Sequence, residues 1–149
     1  MGALRAFVDR EKKSGRGGLG VLRRLVNQRD PDYQPSASEL QAVTRRLLIG
    51  AGLTNYIEEF VILDAEGNFV ARVDFGFQDL PVAVEFEGRA NHSSKRDFQH
   101  DLERRNRITG AGWAAVHATA DMVRFRQEEF LAAVRAAREA QARLRGLGQ

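Results

Sequence analysis

RVDFGF at residues 72–77 and VAVEFEGRANH at residues 82–92 decide how this chain is read. In the first, Val73, Phe75 and Phe77 alternate with Arg72, Asp74 and Gly76. In the second, Val82, Val84 and Phe86 alternate with Ala83, Glu85 and Glu87. Successive side chains of a strand point to opposite faces, so each stretch is predicted as a strand with one apolar face and one acid-bearing face. Glu85 and Glu87 then point the same way, and Asp74 joins them if the strands pair. Three carboxylates at one spot repel one another, and the usual neutraliser is a hard divalent cation. The small residues Gly76 and Ala83 on the acid face leave room for a ligand or for a helix. A single polar residue in a strand ordinarily faces water. Three acids in strands otherwise made of core residues are harder to explain that way, because strand propensity and like-charge repulsion both oppose them.

Outward from these strands the elements follow from punctuation. Ile57–Leu63 and Phe69–Phe77 flank Asp64-Ala65-Glu66-Gly67-Asn68, a turn-rich hairpin loop. Pro81 and Gly88 bound the third strand, Val82–Glu87. Upstream, Ser36 with Glu39 three residues on is a capping-box pattern, and Leu40, Val43, Leu47 and Leu48 give that helix an apolar face ended by Gly50 and Gly52. Downstream, Ser93 or Ser94 caps a helix through about Ala111. Trp113–Thr119 is a fourth strand, which the intervening helix allows to run parallel to the third. Thr119 caps a short turn. A last helix spans about Arg126–Arg145, with Phe130, Val134, Ala137 and Leu144 toward the core and Arg135, Arg138 and Arg145 on another face. The expected class is α/β: a three-stranded antiparallel meander plus a parallel strand, flanked by helices. Residues 3–13 and 19–29 read as two short helices around a glycine-rich joint, and residues 30–38 as a loop. Residues 1–30 are therefore expected to be a helical linker or the remnant of an upstream region, with a further upstream domain in the full-length protein.

The chain has 149 residues, of which 43% are hydrophobic and 29% charged, which fits one soluble domain with a real core. No apolar run approaches the roughly 20 residues a membrane span needs. The N-terminus has no secretory pattern, so the expectation is a cytoplasmic protein without membrane contact. The absence of cysteine excludes disulfides, thiolate catalysis and zinc-finger ligation. Of 23 basic residues only Lys12, Lys13 and Lys95 are lysine; the rest are arginine. Arginine pairs bidentately with phosphate, which suits nucleic acid, although GC-rich coding gives the same bias.

The order helix–meander–helix–strand, with Asp on the second strand and Glu on the third, resembles the PD-(D/E)XK nuclease superfamily. The stretches ARVDFGF, VEFEGRANH, FQHDLERRNRI and GAGW resemble its branch related to very-short-patch repair (Vsr) endonuclease, within a domain-of-unknown-function family. The resemblance implies a restriction-endonuclease-like core in a Vsr-like domain at residues 31–149. It implies Asp74 as the central metal-binding aspartate, Glu85 as the acid of the third strand, and Glu39 as the glutamate that reaches the site from the first helix. Capping is the alternative role for Glu39. The superfamily pattern has lysine where this chain has Glu87. A glutamate cannot stabilise hydroxide by charge, but it can ligate metal or act as a general base. His92, just past Gly88, matches a histidine that assists the water in the repair endonucleases; an idle loop histidine is the plain alternative. His100 and His117 have no comparable argument.

The implied activity is a Mg²⁺- or Mn²⁺-dependent DNA endonuclease, a monomer that nicks one strand at a time. Asp74, Glu85 and Glu87 would hold the metal. Arg72, Arg89, Lys95, Arg96, Arg104 and Arg105 would contact DNA phosphates. Arg104 also stands three residues after Asp101, a spacing that allows a helical ion pair. Two rivals remain: a nuclease-fold DNA-binding or regulatory module without catalysis, and a protein-interaction domain whose basic helices bind an acidic partner.

Overall fold

Ser36 opens the first helix, α1 (Ala37–Gly50), with both halves of the predicted capping box. Its side chain accepts from the Glu39 amide, and the Glu39 carboxylate accepts from the Ser36 amide at 2.9 Å. The computed structural model describes residues 35–86 and 95–146, with side chains from residue 98 onward in the second stretch. The helices expected at 3–13 and 19–29 lie outside the described residues. The elements below belong to a compact unit, Ser36–Gln149.

Three strands follow α1: β1 (Tyr56–Leu63), β2 (Phe69–Phe77) and β3 (Val82–Phe86). Asp64 builds the first hairpin turn by accepting from the amides of Glu66 at 3.0 Å and Asn68 at 2.7 Å, and Gly67 supplies the left-handed residue at φ +85°. Helix α2 (Lys95–Gly110) crosses back to β4 (Ala114–Ala118). Thr119 then caps the short α3 (Ala120–Phe125), which leads into α4 (Gln127–Leu144). The sheet order is β1-β2-β3-β4, with β1–β2 and β2–β3 antiparallel and β3–β4 parallel. The expected α/β class and mixed sheet are what the chain adopts. Among the described residues no helix is long and apolar enough to cross a membrane.

Each side of the sheet has its own apolar layer. Phe75, Phe77, Val82 and Val84 pack with Leu48 of α1, Val123 of α3 and Phe130 and Val134 of α4. Ile62, Val73 and Ala83 pack with Ile108 of α2, backed by Phe60 and Trp113. Fully burying one such side chain contributes about 1.5–3 kcal/mol, so both layers stabilise the packing of helices on the sheet. Leu144, expected in the core, is instead 81% exposed, as the last residue of α4.

One correction concerns the alternation itself. Val73 does not share a face with Phe75 and Phe77; it belongs to the α2 layer while they belong to the α1/α4 layer. The cause lies in β1. Glu58 bonds to Gln41 and Arg45 of α1, whereas Phe60 lies on the other side against Trp113. Between them Glu59 is left-handed, at φ +50°, and this single residue turns the strand over. Strand β2 follows through the pairs Glu58↔Phe75 and Phe60↔Val73. Asp74 therefore sits at the turnover point. A second correction concerns Gly76. The space beside it holds the Phe60 side chain, so it is not a vacancy for a ligand or for α1.

Candidate functional site

Among the described residues the β2–β3 ladder runs through Phe77↔Val82, Gly76↔Ala83 and Phe75↔Val84. Beyond it, side chains take over from backbone. The Phe86 amide donates to Asp74 Oδ2 at 2.8 Å, and the Arg72 carbonyl accepts from Arg104 Nη2 of α2 at 2.8 Å. The part-buried Phe86 amide and the more exposed Arg72 carbonyl thus find side-chain partners in Asp74 and Arg104 where the β2–β3 pairs end.

Glu85 lies in the gap, 6% exposed, in register with His117 of β4. Its Oε1 is ion-paired to Arg104 Nη2. Its Oε2 is buried and meets no hydrogen-bond partner among the described residues. The nearest base, His117 Nδ1, is 3.9 Å away, too long for a hydrogen bond. A buried carboxylate oxygen left in this state is costly, and the lack is what a cation would remedy.

Burial pushes the Asp74 carboxyl above its ordinary range, and the neighbouring Glu59 and Glu85 add to the rise; the Phe86 amide and Arg104 oppose it. Glu85 thus lies near enough for its charge to act on Asp74. Glu59 is an addition that the pattern did not point to. The doublet Glu58-Glu59 was the available signal: two adjacent acids in one strand cannot both face α1. Glu59 is 52% exposed and pairs with Arg72 at 3.3 Å. His117 is the other addition, brought in by the parallel register alone.

The remaining sequence-predicted residues divide as follows. Glu39 serves the α1 cap, accepting from both the amide and the hydroxyl of Ser36. Glu87, Arg89 and His92 lie outside the described residues, and so do the side chains of Lys95 and Arg96. Arg72 points to Glu59. Arg105, not Arg104, pairs with Asp101, at 3.0 Å. The four-residue spacing wins because it frees Arg104 for the strand gap. Arg104 is accordingly not part of a solvated basic face; it is turned inward onto β2 and β3. Among the described residues no three His, Cys, Asp or Glu side chains form a metal-binding group, so this part of the site offers two carboxylates, Asp74 and Glu85.

A separate cleft of about 370 Å³ lies between the β1–β2 turn and the end of α2, lined by Asp64, Glu66, Phe69 and Arg107 among others. Neither Asp74 nor Glu85 lines it, and Asp64 is committed to its turn. No family model, curated protein or solved structure matches the chain, so the meaning of this acid pair rests on its geometry and on the motifs quoted above.

Proposed function

We propose that the chain is a metal-dependent DNA endonuclease domain with a restriction-endonuclease-like core, acting as a cytoplasmic monomer. The observation that carries this reading is Glu85: a buried acid with one unpartnered oxygen, beside Asp74, where β2 and β3 part. Hard oxygen donors in a charged, partly dry gap suit Mg²⁺ or Mn²⁺, which Asp74 and Glu85 would hold, with Glu87 as a further ligand. Bound there, such an ion supplies Lewis-acid stabilisation of phosphoryl charge and eases deprotonation of water.

The protein's own groups do the rest. The Phe86 amide fixes one Asp74 oxygen and thereby the direction of the other. Arg104 holds the Glu85 side chain in one orientation. His92 or Glu87 would accept the proton of the attacking water. Arg72, Arg89, Lys95, Arg96 and Arg105 would supply sequence-independent, salt-dependent affinity for the phosphate backbone. A single site on a monomer nicks one strand per encounter.

Incubation of supercoiled plasmid with Mg²⁺ or Mn²⁺ tests the reading. Wild type should give open circles; Asp74→Ala should not, and excess EDTA should stop wild type. Cutting that persists unchanged in EDTA would remove the metal from the account. One observation favours the rival reading of a binding module without catalysis: Arg104 already gives Glu85 a positive partner. Calorimetry with Mn²⁺ separates the two, since a pure phosphate binder takes up no metal.

A further inference from the structure

We propose that Arg104 is the residue that grips the phosphodiester at this site, using the guanidinium edge that faces away from Glu85. The inference rests on the nuclease reading above and deepens it by naming the contact between the acid pair and the substrate.

The molecule contains its own comparison. Two arginines serve as structural clamps, and both grip a carboxylate with two nitrogens. Arg138 uses Nη1 and Nη2 on the two oxygens of Asp79, and Arg45 uses Nε and Nη2 on Glu58. Arg104 does not. Both of its contacts, the Arg72 carbonyl and Glu85 Oε1, are made by Nη2 alone. Among the described residues Nη1 and Nε meet no acceptor. The Arg104 side chain is 33% exposed, between Arg138 at 18% and Arg45 at 48%, so it is not sealed from solvent.

The anchoring matters as much as the opening. Nη2 is tied to β2 through a backbone carbonyl and to β3 through an acid, so the plane of the guanidinium is set before any ligand arrives. A planar fork with one corner fixed presents its remaining N–H groups in a known direction, which suits a phosphate's non-bridging oxygens. The location suits the same ligand. Arg104 is the cation acting on both Asp74 and Glu85, so a phosphate gripped by its free edge lies beside whatever the two acids hold. Lysine would keep the charge but lose the fork.

The test uses Arg104→Gln and Arg104→Lys with two separate readouts, after melting curves have shown that each is folded. The first is affinity for a fluorescein-labelled 20-base-pair duplex in Ca²⁺, and again in EDTA, measured across a salt series. Arg104→Gln should weaken duplex binding about tenfold and lower the slope of log affinity against log salt by about 0.9, the loss of one phosphate contact. Arg104→Lys should restore the slope and part of the affinity. The second readout is Mn²⁺ binding to the protein alone. Removing a cation that competes for Glu85 should leave Mn²⁺ affinity equal or higher in Arg104→Gln, whereas a merely structural role predicts that it falls. An unchanged duplex affinity and salt slope in folded Arg104→Gln overturns the proposal. Loss of Mn²⁺ affinity and duplex affinity together, with an unchanged slope, also overturns it and leaves Arg104 as a strut. Wild type that takes up no Mn²⁺ while Arg104→Gln still loses the phosphate contact keeps Arg104 and removes the metal site. If Arg104→Gln does not fold, Arg104→Lys decides by affinity: a duplex affinity below wild type with the slope kept and Mn²⁺ affinity unchanged supports the fork, and a duplex affinity equal to wild type overturns it.

Discussion

Asp74 Oδ2 accepts the Phe86 amide hydrogen at 2.8 Å, so a side chain on β2 completes a ladder that its own backbone has left. The left-handed Glu59 lies opposite. Glu59 falls between the pairs Glu58↔Phe75 and Phe60↔Val73, beside Asp74, and here the Phe86 amide and the Arg72 carbonyl are satisfied by Asp74 and Arg104. A non-glycine residue at positive φ costs about 1–2 kcal/mol. Here that strain brings three acids, Asp74, Glu59 and Glu85, near enough to raise Asp74's affinity for a proton.

Asp74→Asn should therefore stabilise the metal-free protein at neutral pH. The amide oxygen can still accept from Phe86, while the repulsion and the desolvated charge disappear. The sign follows from the direction of the shift. The folded carboxyl titrates above its unfolded value, so its cost is present above the folded value and vanishes below the unfolded one. The gap in melting temperature between Asp74→Asn and wild type should be widest at neutral pH and close as pH falls through the carboxylate range. Adding Mg²⁺ should reverse the order. At a hundred times its Kd a ligand adds about 2.7 kcal/mol to the wild type, and the variant should gain little. A variant less stable than wild type in EDTA at pH 7 would contradict the argument.

Gly76→Ala should destabilise the sheet by about 1–3 kcal/mol through overpacking. A Cβ there would meet Phe60 Cγ and Cδ1 at 2.5 Å and Cβ at 2.7 Å. Those atoms are near the root of the side chain, and the ring is held against Trp113 at 5.1 Å between centroids, so it has little room to retreat. The double variant Gly76→Ala/Phe60→Leu should be less damaged than the sum of the two single changes. Strict additivity in urea unfolding would show that the clash is relieved elsewhere.

A clamp far from the acids should dominate the acid sensitivity of the fold. Arg138 grips Asp79 with bonds of 2.7 and 3.1 Å and lies over the Phe77 ring, while Arg145 donates to the Asp79 carbonyl, so α4 is tied to the β2–β3 turn. The Arg138 hydrogen bonds hold the Asp79 carboxyl down at about 2. A depressed carboxyl contributes stability above its unfolded value, and that contribution is lost as pH falls through the folded value. Asp79→Asn should cost about 1–2 kcal/mol at pH 7, at the lower end for charged hydrogen bonds because the pair is partly solvated. The difference from wild type should shrink below about pH 4 and be gone near pH 2. A constant difference across that range would assign the loss to packing.

Much of this was legible in the sequence, for identifiable reasons. Ser36 and Glu39 form their capping box because cap, spacing and partner are all local. The hairpin at Asp64–Asn68 and the parallel β4 follow from turn chemistry and from the helix between β3 and β4. Asp74 and Glu85 were marked because acids in a core strand need a reason. What escaped was set by single long-range events. No local rule makes Glu59 left-handed, yet it moves Val73 to the other layer and fills the space at Gly76 with Phe60. Arg104 read equally well as a partner of Asp101 or as a surface charge, since its actual partners, on β2 and β3, are far from it in the chain. His117 came to Glu85 through a register that only the folded sheet defines.

The proton acceptor is the part of the proposed reaction most open to test. His92 stands five residues beyond Glu87, past the Gly88 that ends the third strand, and His117 stands beside Glu85. The two should behave differently. If His92 receives the proton from water, His92→Ala should lower single-turnover cutting by about 10²–10⁴-fold and leave Mn²⁺ affinity nearly intact, and the wild-type rate should rise with pH through the histidine range. Glu87→Gln should mainly weaken metal binding, since it removes one negative charge while keeping the shape. His117→Ala should act through Glu85, shifting metal affinity without altering the pH dependence of cutting, because its Nδ1 faces the Glu85 carboxylate at 3.9 Å. Equal rates for wild type and His92→Ala across the pH range would transfer the acceptor role to Glu87, and a pH profile lost only in His117→Ala would transfer it to β4.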